Sequence, residues 1–102
     1  MTEKMKPTYD LVAFKQTFNH TRNLCVTTTA LTSAAALGFD RQGIVDILQT
    51  MQRRHFYKSM TADNNHLLWQ DVYHVPFNGI TLYVKFTGDT ICHFKLLSLK
   101  EK

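Results

Sequence analysis

At Arg54 the hydrophobic period of this chain changes. Before it, apolar residues recur every three or four positions; after it, they alternate every two. Leu11, Phe14 and Phe18 share one helical face, as do Ala30, Leu31, Ala34 and Leu37, and then Ile44, Ile47, Leu48 and Met51. From His55 onward, four runs rich in aromatic and β-branched residues take over: 55–61, 67–75, 80–87 and 91–99. Helices gathered first and strands gathered after point to an α+β fold rather than to the βαβ units of a parallel sheet. The expectation is three helices packed on one face of an antiparallel sheet of four strands, or five if the short run 23–27 joins an edge. Each helix has one apolar stripe to bury, so the second sheet face stays open.

Local signals set the boundaries. Thr8 is read as the first N-cap with Asp10 in the first turn, Thr28 or Thr29 as the second N-cap, and Asp40 as the third. Gly38 stands where a left-handed residue ends a helix. Arg53-Arg54 fits a helix C-terminus better than a phosphate clamp. Residues 1–7 are polar and are expected to fray, and 62–66 reads as a loop. Asn78-Gly79 is the strongest hairpin signal in the chain. A two-residue loop there pairs Phe77 with Ile80, Val75 with Leu82, His74 with Tyr83 and Tyr73 with Val84. A two-residue turn at Gly88-Asp89 mismatches the apolar sets that follow, so a three-residue loop or a bulge is expected.

The chain has 102 residues, enough for one domain with a small core. No apolar run is long enough to cross a bilayer and the opening residues form no signal peptide, so the expected compartment is the cytoplasm. Net charge is +4, and the second half holds seven Lys/Arg against four Asp/Glu. That bias suits a phosphate-bearing partner. Cys25 and Cys92 stand far apart and form no metal or redox motif. Two buried free thiols are expected, with a disulfide open on sequence alone but disfavoured in a reducing compartment.

Alternation along the strands then groups the polar residues. Gln70, His74, Tyr83 and Lys85 fall on the open face, and Trp69, Tyr73 and Val75 on the helix-covered face. Lys58 joins the open face because lysine rarely faces a packed core, with Phe56 and Met60 flanking it as an apolar floor. Metal-free RNA cleavage needs a base for the ribose 2′-hydroxyl, an acid for the leaving oxygen and cations for the phosphorane charge. His74 can move protons near neutral pH. Tyr83 can donate a hydrogen bond or a proton. Lys58 and Lys85 can hold phosphate, and Gln70 can bind phosphate or read a base edge. Taken singly, Tyr83 and Gln70 are more simply a rim tyrosine and a surface amide; their joint placement with Lys58 is what favours chemistry. His20, His55 and His93 are read as structural or surface residues. No His, Cys and carboxylate spacing indicates a metal.

Phe56-Tyr57-Lys58-Ser59-Met60-Thr61, Trp69-Gln70-Asp71-Val72-Tyr73, Tyr83-Val84-Lys85 and the run Ser98-Leu99-Lys100-Glu101-Lys102 resemble the MqsR toxins. These are ribonucleases of bacterial type II toxin–antitoxin systems with a RelE-like fold. The resemblance implies an mRNA interferase that cuts single-stranded mRNA at short GC-containing sites without a ribosome or cofactor. It also implies a cognate DNA-binding antitoxin as partner, with neither membrane binding nor DNA binding by the toxin alone. The family's catalytic lysine, glutamine and tyrosine fall on Lys58, Gln70 and Tyr83, and Tyr57 and Met60 match the motif around the lysine as substrate contacts. His74 stands where an arginine is expected, and the stretch between Lys85 and the final run is slightly long. Two other classes fit the same face: a non-catalytic RNA-binding module, and a protein-interaction domain that pairs through a sheet edge.

Overall fold

The computed structural model describes residues 2–102. Five antiparallel strands lie in sequence order across one sheet: β1 (Glu3–Lys4), β2 (Phe56–Ala62), β3 (Asn65–Phe77), β4 (Ile80–Asp89) and β5 (His93–Glu101). Three helices, α1 (Leu11–Thr17), α2 (Thr28–Ala36) and α3 (Arg41–Thr50), cover one face. The core forms where their apolar stripes meet the inward residues of β3, β4 and β5. Phe14 stacks on Phe86 with ring centroids 3.7 Å apart, and Phe18, Ile44, Leu48, Tyr73 and Leu82 are fully buried around them. Each such side chain contributes about 1.5–3 kcal/mol of burial, and together they fix which sheet face the helices take. None of the described helices is long and apolar enough to cross a membrane.

The Asn78-Gly79 hairpin forms as the sequence indicates. Both residues have positive φ, 50° and 82°, as a twist-matched two-residue turn requires. The register follows from it: Phe77 faces Ile80, Val75 faces Leu82 and His74 faces Tyr83. The β4–β5 connection resolves the apolar mismatch with both expected devices. Asp89 pairs with His93 across a three-residue loop, and a bulge between Lys85 and Phe86 shifts the register so that Leu96 and Leu99 both reach the core.

Several boundaries differ, each for a local reason. The N-cap of α1 is Asp10, not Thr8, because its carboxylate accepts from Val12 N–H at 2.9 Å. Thr27 caps α2, its hydroxyl accepting from Ala30 N–H at 3.1 Å. The α3 helix stops at Thr50, and Arg53–His55 forms a separate 3₁₀ turn, so Arg53 lies over the Phe56 ring instead of capping a helix. The expected loop at 62–66 shrinks to Asp63-Asn64, since Ala62 already pairs with Asn65. Residues 23–27 make no strand, only a single parallel bridge from Val26 to Leu96.

The largest correction concerns residues 2–7, which are held and do not fray; Met1 lies outside the described residues. The fully buried Asp71 carboxylate accepts from Thr8 N–H at 3.1 Å and Tyr9 N–H at 2.9 Å. The Tyr9 hydroxyl donates to the Trp69 carbonyl at 2.9 Å. These anchors lay Glu3–Lys4 along β2, where they pair with Met60 and Ser59 as the fifth strand.

Candidate active site

The site is built on the sheet face that no helix covers. Reading across the strands, His74, Tyr83 and Lys100 form one row. Lys58, Val72, Lys85 and Ser98 form the next, and Met60, Gln70 and Thr87 the third. Lys58 therefore stands between Tyr83 and Gln70. These two are two rows apart, roughly 13 Å along the strand direction. All three residues lie on the open face, Gln70 and Tyr83 as alternation indicates and Lys58 as the rarity of a buried lysine indicates.

A bulge changes the start of β2. Phe56 pairs with Tyr73 and Lys58 with Val72, leaving Tyr57 as the extra residue. Phe56 consequently turns under the helices, packing edge-on to Tyr73 at 5.5 Å, and is not part of the floor beside Lys58. Tyr57 comes to the open face in its place. Its ring stacks on His74 at 4.2 Å and 22°, and Tyr83 lies 6.1 Å beyond His74. A rail of three rings results, with the Lys58 ammonium 5.4 Å from Tyr57 and the Lys100 ammonium 5.3 Å from Tyr83. Met60 occupies the open face as expected, but it is buried. Trp69 is on the opposite face as expected, yet it packs outside the core, with the Lys4 ammonium 4.1 Å from its ring.

Protonation follows from these surroundings. Lys58 donates to the Glu3 carboxylate at 2.6 Å, and this hydrogen bond raises its pKa, so it is a cation across the neutral range. Lys85 moves the other way: burial, and then the nearby Lys100, lower its pKa. Burial, and then Lys102, lower His74 below its ordinary 6.5, so its ring is neutral at pH 7. Burial raises Tyr83, against an opposing pull from Lys58, so its phenol keeps its proton. The face thus offers a fixed cation, a neutral imidazole able to accept a proton and a phenol able to donate one.

Two members escaped the sequence reading. Glu3 lies in a stretch whose composition signals only a loose end, and nothing local marks its pairing with a lysine 55 positions later. Lys100 carried a legible signal, since it lies in the Ser98–Lys102 run and pairs across from Tyr83.

The family described as motility quorum-sensing regulator, toxin of MqsA, matches residues 6–101. The chain is also similar to the mRNA interferase toxin MqsR of Escherichia coli (strain K12). The two are 37% identical over 76 residues, which is 74% of this chain and 76% of that protein. The match spans nearly the whole chain, and the chain belongs to the MqsR toxin family.

Proposed function

We propose that this endoribonuclease toxin cuts single-stranded mRNA on its open sheet face, without a metal, by attack of the ribose 2′-hydroxyl on the adjacent phosphate. The observation that carries the reading is the grouping of Lys58, His74 and Tyr83 on one uncovered surface, in three different protonation environments. His74 takes the 2′-hydroxyl proton. The oxygen attacks phosphorus, the bond to the 5′-oxygen breaks, and that oxygen receives a proton from Tyr83. The Lys58 ammonium, released from Glu3 by the incoming phosphate, balances the phosphorane charge, with Lys85 beside it. Tyr57 and Met60 bound the nucleotide at one side. Gln70, two rows from Tyr83, meets the neighbouring nucleotide and reads a base edge there. The spread from Tyr83 to Gln70 suits a strand lying across the rows, and the family resemblance implies a short GC-containing site.

The products are then a 2′,3′-cyclic phosphate and a 5′-hydroxyl. The purified chain is expected to give them from single-stranded RNA in EDTA. Lys58→Ala, Gln70→Ala and Tyr83→Ala should each lower the rate by about 10²-fold or more while leaving the fold intact. A rate abolished by EDTA, a 5′-phosphate product, or unchanged rates in all three variants would overturn the mechanism. RNA bound but left uncut would assign the face to binding alone. Restraint of this activity falls to the cognate antitoxin, which we infer to be a DNA-binding protein encoded beside it.

A further inference from the structure

We propose that Cys25 and Cys92 form a reversible disulfide that ties the segment ahead of α2 to the β4–β5 turn. The fold brings together two thiols that the sequence keeps far apart. Residues 25–27 run beside β5: Leu96 N–H donates to the Cys25 carbonyl at 2.8 Å, and Thr27 N–H donates to the Leu96 carbonyl at 3.0 Å. Cys92 lies in the turn that leads into β5. As a result Cys25 Sγ, Cys92 Sγ and an Asp89 carboxylate oxygen lie within 4.8 Å of one another. Both cysteines are free and half-buried, not fully buried as the sequence suggests, so an oxidant can reach them.

The remaining gap closes on the Cys92 side. That turn is pinned mainly by Asp89 Oδ2, which accepts from Ile91 N–H at 3.0 Å and Cys92 N–H at 2.7 Å. Ile91 is 87% exposed and packs against little. The Cys92 carbonyl also accepts from Phe94 N–H at 2.8 Å, so the shift that closes the gap falls on residues 90–92, none of which is fully buried.

The same three donors could instead hold a soft cation, but the chemistry favours the sulfur–sulfur bond. A closed zinc site takes four ligands, and its sulfurs bind as thiolates. Burial, and then the adjacent Cys92, push the Cys25 thiol up to about 11. The cluster offers three donors where a closed zinc site takes four, whereas disulfide formation needs only the two sulfurs and one thiolate at a time. With hydrogen peroxide as oxidant, one thiolate sulfur attacks a peroxide oxygen and the O–O bond breaks. A sulfenic acid forms, and the departing hydroxide takes up a proton to leave as water. The second sulfur attacks the first, the S–S bond forms, the S–O bond breaks, and the second oxygen leaves as water with the thiol proton. Two thiols lose two electrons, and one peroxide becomes two waters.

The test needs no activity. The reduced chain is treated with excess hydrogen peroxide, alkylated with iodoacetamide, and measured by intact mass and non-reducing peptide mapping. We expect no cysteine alkylation, one linked peptide pair joining Cys25 to Cys92 and weighing 2 Da less than its two reduced peptides together, and full reversal of that link by dithiothreitol. The thermal midpoint should rise on oxidation by roughly 5 °C. Cys25→Ser and Cys92→Ser should each abolish the linked pair. The proposal is overturned if both thiols still alkylate after peroxide, or if they end as sulfinic acids or intermolecular dimers. One equivalent of zinc retained through dialysis and blocking oxidation would equally overturn it, by giving the pair to a metal.

Discussion

Lys58 is held by the Glu3 carboxylate, which the phosphate would have to replace in the proposed mechanism. Glu3 is about half exposed, so the ion pair is weak in water, and under the proposed mechanism it competes with substrate for the same ammonium. Glu3→Gln removes that competitor and one negative charge from the face. The expected result is a KM for RNA several-fold lower at low salt, with kcat changed by less than about twofold. A higher KM in a steady-state cleavage assay would show instead that the carboxylate holds the lysine in its working position. Tyr57 teaches a related lesson at the same scale. Alternation along 55–61 puts Phe56 beside Lys58, but one extra residue reverses the two, and nothing in a single sequence marks where a strand bulges.

Among the elements, β1 is the least self-sufficient. Its two residues cannot hold an edge position by backbone pairing alone, and Asp71 supplies the missing anchorage through the Thr8 and Tyr9 amides. Asp71→Ala leaves both donors without their partner and should cost about 2–3 kcal/mol. Hydrogen exchange should show β1 amides losing protection before the rest of the sheet, and equal protection in the variant and the parent would refute this. The same contact explains what the sequence could and could not convey. Asn78-Gly79 fixes a register through residues adjacent in the chain, so the His74–Tyr83 pairing was legible in advance. The helices were legible too, because their stripes repeat locally. The fifth strand was not, since its anchors, the Asp71 carboxylate and residues 58–61 of β2, lie more than fifty positions away, and the Cys25–Cys92 encounter depends on residues 25–27 running along β5. What sequence conveys well here is whatever a turn or a period enforces nearby.

For the molecule as a whole, acid is the expected weakness. His74 and His55 both have pKa values lowered from 6.5, in each case chiefly by burial, so the folded chain favours the neutral rings. Their contribution is complete above about pH 6.5, where the unfolded chain is neutral as well. Below it the unfolded chain gains protons first, and stability falls until the folded-state values are passed. The urea midpoint should be lower at pH 5.5 than at pH 7.5, with part of the difference removed in His74→Gln, and cleavage should decline on the acid side in the same range. A midpoint flat from pH 7.5 to 5.5 would contradict this. The open face holds one further consequence. Val72 is wholly buried there, although no helix lies above it, and its cross-strand neighbours are Lys58 and Lys85. Lysine stems can shelter an apolar neighbour while their nitrogens stay in water, so these two are the natural roof for it. Alanine at either position therefore strips shelter as well as charge, whereas methionine takes away only the charge. Lys58→Met should melt close to the parent and cut RNA as slowly as Lys58→Ala, and Lys58→Ala should melt lower; identical melting of the two would mean that the valine is kept dry by something else.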